Sequence, residues 1–589
     1  MCGIVGFVGD EAAPVVLKAV TRLEYRGYDS AGMVSLCDGR LYLKKDVGGI
    51  RDVQRKHRLD RLPGDVALAH VRWATHGRAD RANAHPLFDC SGRIAVVHNG
   101  IIENFQGLRA QLAARHRFVS DADTEVVCHL IEDYMDEGAS LEEALLRAAD
   151  VLEGSYALAV IAADGPPRIV AITKDSPLAV GIGDGSYFVA SDALSFLDQC
   201  NRVVFLEEGE VASLSRDGVT FRDREGRRLA REPQELDWQW PEATREGYDS
   251  FMLKEIREGP DVILRALDQD RDALAEFAQE ISRARQVVLT GCGTSRHAAL
   301  LGSYLLSRMG GKLCHVVTAS EFRYLAHSLA EDALVVAVSQ SGETADVVEV
   351  ARQARSRGVR VFSIVNVVGS LLSRTSDRVL YLNCGPEVGV AATKSFIAQM
   401  VVFYLIAFAL AGRLAEGTGM MRAASQKMRE GLERDDSVLK RLAQEMKDRD
   451  HFLYIARGLN LPIAAEGALK LKEVSYCHAE WMSAGELKHG TLALIEEGTP
   501  IVALCPRDDT FQETLSNIME TRARGGLVTG ISSEDNEGFD HWIEVPEVDE
   551  ALYPLVATVP LQLLAYHMAV ARGKDPDRPR NLAKSVTVK

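Results

Sequence analysis

Apolar residues follow two different rhythms along this chain. Up to about residue 235 they form short β-rich runs at Gly3–Val8, 66–70, 94–98, 156–161, 168–172, 187–190 and 203–205. Few helical stretches lie between them; Leu141–Val151 and the connecting segment 22–28 are examples. This pattern predicts stacked β-sheets with helices outside, an α+β arrangement. From Glu255 onward the rhythm becomes β–loop–α. Strands are predicted at 286–290, 333–338 and 359–366, each followed by a loop or a helical Ala/Leu stretch, which implies a parallel, doubly wound sheet. A second copy starts near Asp436, with a strand at 452–456, a turn at 457–462, a helix at 463–473 and a further strand at 501–505. Between the two rhythms, residues 231–247 carry Arg-Glu-Pro-Gln-Glu, Trp238, Trp240 and Pro241, a linker with two aromatic anchors.

Two apolar stretches call for a membrane check. The first, 396–412, contains Gln399 and is short for a span; the second, 554–571, contains Pro560, Gln562 and His567. Both are expected to be buried helices. The chain of 589 residues is 47% apolar, enough for several cores, and its net charge of -16 argues against non-specific nucleic-acid binding. Ten scattered cysteines, with no CxxC and no zinc-like Cys/His spacing, are expected to be reduced thiols, and no metal is expected. The first residues lack a positive n-region, so a cytoplasmic protein rather than a secreted one is expected.

Cys2, in Met1-Cys2-Gly3-Ile4-Val5-Gly6-Phe7, is the first candidate for chemistry. A thiol of pKa about 8.5 needs a base to react at neutral pH, and an α-amine titrates at about 7.7–8.0. Removal of Met1 would place both groups on one residue. Four polar clusters follow. They are Leu23 to Gly32, His70-Val71-Arg72-Trp73-Ala74-Thr75-His76-Gly77, Val97 to Asn104 with Asn99-Gly100 at a strand end, and Ser120 to Glu125 opening a helix. An Arg fork suits the α-carboxylate of an amino-acid amide and a carboxylate suits its α-ammonium, roles open to Arg72 and Asp123. An Asn amide beside a Gly backbone N–H offers two oxyanion donors.

Together with the N-terminal Cys-Gly-Ile-Val-Gly, these clusters resemble class II glutamine amidotransferases, which have an N-terminal-nucleophile hydrolase fold. The resemblance implies that Cys2 is nucleophile and base in one, and that Asn99 and Gly100 form the oxyanion hole. It also implies that Arg72, Thr75, His76, Gly77 and Asp123 hold glutamine, with Trp73 as the gate to an ammonia channel.

In the second rhythm, Ser339-Gln340-Ser341-Gly342-Glu343-Thr344 lies between strand and helix and offers hydroxyls beside a helix N-terminus, a setting for phosphate. Thr294 and Ser295 offer a similar cradle. Neither is a Walker A loop nor a GxGxxG fingerprint. The tandem halves resemble sugar isomerase (SIS) domains, which bind phosphosugars. Glu466, Lys470 and Glu473 share one helix face by spacing, a pattern that a solvated charge stripe would also give.

The whole chain resembles the isomerising glutamine–fructose-6-phosphate aminotransferase family, down to Asn581-Leu582-Ala583-Lys584-Ser585 near its end. That resemblance implies an α+β amidotransferase domain at 1–238, a linker at 239–247, α/β SIS domains at 248–430 and 431–574, and a catalytic tail at 575–589. It also implies that Thr294, Ser295, Ser339, Gln340, Ser341 and Thr344 bind the sugar phosphate, with Val390 and Ala583 contacting the sugar. Lys584 would form an imine with the C2 ketone of fructose 6-phosphate, Glu473 would move the proton between C1 and C2, Lys470 would assist, and His489 would open the ring from a neighbouring subunit. The implied partners are glutamine, fructose 6-phosphate and a second copy in a homodimer, with no cofactor, nucleic acid or membrane. Two departures stand out: terminal Lys589 is acidic in the family, and 247–252 lacks a common aromatic-plus-His pattern.

Alternatives remain open. The phosphate cradle does not read stereochemistry at C3 and C4, so another ketose phosphate fits. A sugar-phosphate sensor with vestigial chemistry is opposed by intact Glu473, His489 and Lys584. An amidotransferase of the phosphoribosyl-pyrophosphate type needs a pyrophosphate loop that the sequence does not show.

Overall fold

The computed structural model describes residues 2–236 and 245–587. Met1, Trp238, Trp240 and Lys589 lie outside the described residues, as does most of the expected linker. The chain divides into two compact units, Met1–Glu242 with Ser585–Lys589, and Ala243–Lys584.

The first unit is built on two antiparallel sheets. In the eight-stranded sheet, Gly3–Val8 lies centrally between Tyr187–Ala190 and Val66–Arg72. The seven-stranded sheet places Ile94–Ile102 beside Gly154–Ala162. Side chains alternate across each strand, yet both faces are buried, so the strands read as continuous apolar runs. Ile4 and Val8 join Val97, Ala159 and Ile169 in the core between the sheets, while Val5 and Phe7 pack against the helix Ala12–Thr21. The helices Glu125–Asp136 and Leu141–Val151 cover the other sheet.

One local expectation changes. Asn99-Gly100 is not at a strand end but inside Ile94–Ile102, paired with Ala157 and Tyr156. Gly100 has φ +128, and a Cβ there would lie 2.0 Å from the Ser155 carbonyl oxygen, so only glycine fits this ladder.

The second unit carries two five-stranded parallel sheets of identical topology. The first has the order His315–Thr318, Val287–Gly291, Leu334–Ser339, Arg360–Val365, Arg378–Tyr381. The second runs His478–Ser483, His451–Ala456, Pro500–Leu504, Leu527–Ser532, His541–Glu544. In each, the strand order reverses beside the first strand, which opens a crevice at the carboxyl ends of the strands. The apolar helices Lys394–Leu410 and Tyr553–Ala571 are buried in one continuous core, the interior environment that the sequence predicts for both. A 33-residue helix, Leu414–Met446, runs through position 430, where the sequence divides the two SIS domains. Residues 575–587 form neither helix nor strand.

Candidate active sites

In the first unit, Cys2 immediately precedes the central strand, and its Sγ accepts the Trp73 N–H at 3.3 Å. Burial pushes the Cys2 thiol up, while the Trp73 N–H and the nearby Arg72 guanidinium favour the thiolate. Asn99 donates from Nδ2 to the Cys2 carbonyl at 3.1 Å, which places its amide beside the candidate nucleophile. His70 fixes that amide. Its Nε2 lies 3.1 Å from Asn99 Oδ1 and 2.9 Å from the His98 carbonyl, two acceptors that require the N–H at Nε2. Burial holds His70 neutral by lowering its pKa to about 3.

Arg72 is buried at the end of Val66–Arg72 and donates to the carbonyl of His76, and at 3.4 Å to those of Gly77 and Arg78. Its guanidinium therefore organises the 73–78 loop. Asp29 accepts the Ala74 N–H at 2.9 Å from the other side. Trp73 stands edge-on to Tyr28 and His76 edge-on to Phe105. Thr75 is exposed on the same loop. Asp123 accepts the Ile102 N–H at 2.8 Å, which ties the segment before Glu125–Asp136 to the strand that carries Asn99. Asp123 and Arg72 both act electrostatically on Cys2, so the nucleophile, the cationic group and the anionic group expected from sequence are brought together.

In the second unit, the loops after Val287–Gly291 and Leu334–Ser339 flank the crevice of the first sheet. The Ser339 hydroxyl accepts the Gly342 N–H at 3.0 Å and lies 3.3 Å from Thr344 Oγ1, while Ser341 Oγ accepts the Glu343 N–H at 3.2 Å. Gly342 has φ +66, and a Cβ there would meet Ser370 Oγ at 2.1 Å. The turn is therefore tight and polar, ahead of the 12-residue helix Ala345–Ser356. Thr294 and Ser295, expected to form a second phosphate cradle, lie in the first turn of the helix Gly293–Gly310. Thr294 Oγ1 donates to Glu466 at 2.9 Å and accepts from Lys470 at 3.1 Å, and Ser295 Oγ accepts from buried Gln399 at 2.9 Å.

Glu466 and Lys470 are 1% and 0% exposed, so the Glu466–Lys470–Glu473 face is no solvated stripe. Lys470 pairs with both carboxylates, and His297 Nδ1 lies 2.8 Å from Glu466. Burial pushes the Glu466 carboxyl up, but Lys470 and His297 more than offset it and hold it below the usual range. His489 is exposed at the end of the turn Ala484–His489 and is not joined to this network.

Lys584 is enclosed, with its side chain 4% exposed. Its Nζ lies 2.5 Å from Glu387 Oε2 and 2.8 Å from the Gly389 carbonyl. Burial raises the Glu387 carboxyl, yet Lys584 and the N–H groups of Ser395 and Thr393 hold it low. Glu255 accepts the Val388 and Gly389 N–H groups and is itself pushed up by burial and by Glu387. Val390 is buried, with its N–H on the Asp577 carbonyl at 3.2 Å, and Ala583 is half-buried. Asp577 in turn takes the N–H groups of Phe251 and Met252, which anchors the tail.

Sequence reasoning assigned no role to His70, Asp29, His297, Glu255 or Glu387. His70 and Asp29 sit inside the quoted motifs. Glu387 could have been sought as the partner of any lysine proposed to be buried.

Fold and sites together define a glutamine amidotransferase joined to a tandem phosphosugar-isomerase pair. The SIS domain family matches residues 280–409 and again 445–572, and the glutamine amidotransferase domain family matches residues 57–224. The isomerizing glutamine–fructose-6-phosphate aminotransferase of Thermococcus kodakarensis is 45% identical over 601 residues, and that of Methanothermobacter thermautotrophicus 46% over 596, each covering the whole of both chains. Among solved structures, the C-terminal domain of glucosamine-fructose-6-phosphate aminotransferase from Francisella tularensis covers 57% of this chain and all of its own, at 34% identity and a TM-score of 0.53. The chain belongs to the isomerizing glutamine–fructose-6-phosphate aminotransferase family.

Proposed function

We propose that the chain transfers the amide nitrogen of glutamine to fructose 6-phosphate and isomerises the product, yielding glucosamine 6-phosphate and glutamate. The observation that carries this reading is the full-length match to relatives of that name by a chain with a thiol site in one unit and an enclosed lysine in the other.

With Met1 removed, the Cys2 thiolate attacks the amide carbon of glutamine and its α-amine receives the proton. Asn99 and Gly100 stabilise the oxyanion, with His70 keeping the Asn99 amide aimed at Cys2. Ammonia leaves, and water then hydrolyses the thioester to glutamate. Arg72 holds the α-carboxylate and Asp123 the α-ammonium, while Thr75, His76 and Gly77 line the site and Trp73 covers it.

In the second unit, Ser339, Gln340, Ser341 and Thr344 bind the phosphate. Thr294 and Ser295 face the same crevice, although their hydroxyls already serve Glu466, Lys470 and Gln399. Lys584 gives its proton to Glu387 and condenses with the C2 ketone, releasing water. Ammonia from the Cys2 site displaces the lysine at C2. Glu473, held by Lys470, carries the proton from C1 to C2, and Val390 and Ala583 position the sugar by their backbones. His489 of the partner subunit opens the ring in a homodimer. The setting is cytoplasmic.

The test is borohydride trapping of the intact enzyme with fructose 6-phosphate, followed by peptide mapping. The label is expected on Lys584 and absent in Lys584→Arg, with synthase activity reduced by about a thousand-fold or more. A label on another lysine, or unreduced synthesis in the variant, overturns the assignment.

A further inference from the structure

Away from Cys2, four side chains from separate stretches of the first unit converge on one point. Cys90 lies on the turn between Leu87–Phe88 and Ile94–Ile102, and His116 on the segment after Phe105–Leu112. His129 and Glu132 share one face of Glu125–Asp136. One ligating atom of each lies within 4.8 Å of all the others. Cys90 Sγ is 3.6 Å from His116 Nδ1 and 3.7 Å from His129 Nδ1. Glu132 Oε2 is 3.0 Å from His116 Nδ1 and 3.1 Å from His129 Nδ1. A tetrahedral zinc with Zn–S of about 2.3 Å and Zn–N of about 2.0 Å separates sulfur from nitrogen by about 3.5 Å.

The outer nitrogens strengthen the case. His116 Nε2 lies 3.0 Å from Asp133 Oδ1, and His129 Nε2 lies 3.8 Å from Glu125 Oε1. Asp133 behind His116 fixes the proton of that ring on Nε2 and turns its Nδ1 lone pair inward, as in carboxylate–histidine–metal triads, while His129 Nε2 makes no hydrogen bond among the described residues. The neutral His116 ring then aims its Nδ1 lone pair at a carboxylate oxygen and a sulfur. A divalent cation at the centre removes that conflict. The Arg117 N–H donates to Cys90 Sγ at 3.3 Å.

We propose that Cys90, His116, His129 and Glu132 form a structural zinc site that pins the 89–93 turn and the 113–118 segment to the helix Glu125–Asp136. Sulfur, two imidazoles and one carboxylate suit zinc, and four protein ligands close the coordination shell, leaving no position for a substrate. The site also reaches the glutamine pocket. Glu125, behind His129, accepts the N–H groups of Val119 at 2.7 Å and Ser120 at 2.8 Å, at the start of the loop that carries Asp123.

The test uses the full chain, stripped with chelator and then given one equivalent of zinc or cobalt(II). Expected are one metal per chain retained through gel filtration and, for cobalt, tetrahedral d–d bands with a thiolate charge-transfer band. Cys90→Ser, at an exposed residue whose loss leaves the core intact, should abolish the charge-transfer band. His116→Ala should abolish stoichiometric retention, and Asp133→Asn should weaken zinc binding by about ten-fold or more. Metal removal should raise the KM for glutamine more than it lowers kcat. The proposal is overturned if the stripped, folded chain retains no metal, or if metal content and cobalt spectrum are the same in Cys90→Ser and His116→Ala as in the parent.

Discussion

The two units place their reactive groups by opposite means. In the first, the candidate nucleophile is held by neutral donors and backbone: the Trp73 N–H on Cys2, and the His70–Asn99 pair behind it. In the second, the candidate groups are buried ions held by other buried ions: Lys584 on Glu387, and Lys470 between Glu466 and Glu473. The first arrangement is inexpensive to bury, because neutral hydrogen-bonded groups lose little on leaving water. The second is stable only while every partner is present. A thiol that attacks an amide needs aim. In the proposed mechanism a lysine that attacks a ketone must also lose a proton, and the paired carboxylate would take it.

The contrast breaks most sharply at Cys2. Cys2→Ala should reduce glutamate production by at least about a thousand-fold while leaving stability and the slow isomerisation of fructose 6-phosphate in the second unit nearly unchanged. Survival of glutaminase activity in that variant, or in protein shown by mass spectrometry to retain Met1, would remove Cys2 from the mechanism. A buried ion should behave in the opposite way. Lys470→Met leaves Glu466 without its cation in the core and should cost about 3–5 kcal/mol of stability in the second unit, with glutamine hydrolysis intact. Denaturant melts of the parent and the variant measure it, and a change below about 1 kcal/mol would mean that the pair is solvated after all.

The third test is the pH response. Burial lowers the pKa of His70, His85 and His98 in the first unit, so the unfolded chain binds protons that the folded unit refuses. Their stabilising effect is complete above the ordinary histidine pKa of about 6.5 and falls as pH drops below it, by up to about 1.4 kcal/mol per pH unit for each histidine. In the second unit, Glu387 and Glu466 have lowered pKa values, so their contribution is lost only below the ordinary carboxylate range. Glu255 is raised, so its contribution is full at low pH and is lost as pH rises through its folded value. Among the described residues of the second unit only His567 has a lowered histidine pKa, so calorimetry between pH 7.5 and about 5 should show the transition of the first unit moving down further than that of the second. Parallel movement of both would contradict the assignment of the acid response to His70, His85 and His98.

Much of the fold was legible because both faces of most strands are buried, so that apolar runs such as Gly3–Val8 and Leu334–Ser339 stand out from their loops. The hairpin Ser30–Cys37 and Arg40–Val47 was missed. Its second strand lies at the edge of the sheet, is largely open to solvent and is rich in charge, so only Asp38-Gly39 marks the turn. The helix Leu414–Met446 was missed too, because its polar face hides a narrow apolar stripe.

The sequence by itself determined which residues can do chemistry: a thiol at position 2, an Arg and an Asp for an amino acid, hydroxyls at a helix start, and a lysine near the end. The first three are read from residue type and local spacing, which the chain carries in one dimension; the lysine was singled out only by the family resemblance. Only the tertiary structure decided what each group is paired with. It turned the Glu466–Lys470–Glu473 face inward, set Glu387 against Lys584, placed Asn99-Gly100 within a strand, and gathered Cys90, His116, His129 and Glu132 from segments with no metal-binding spacing. Pairing depends on distance in space and on what burial removes from water, and neither is encoded in neighbouring positions.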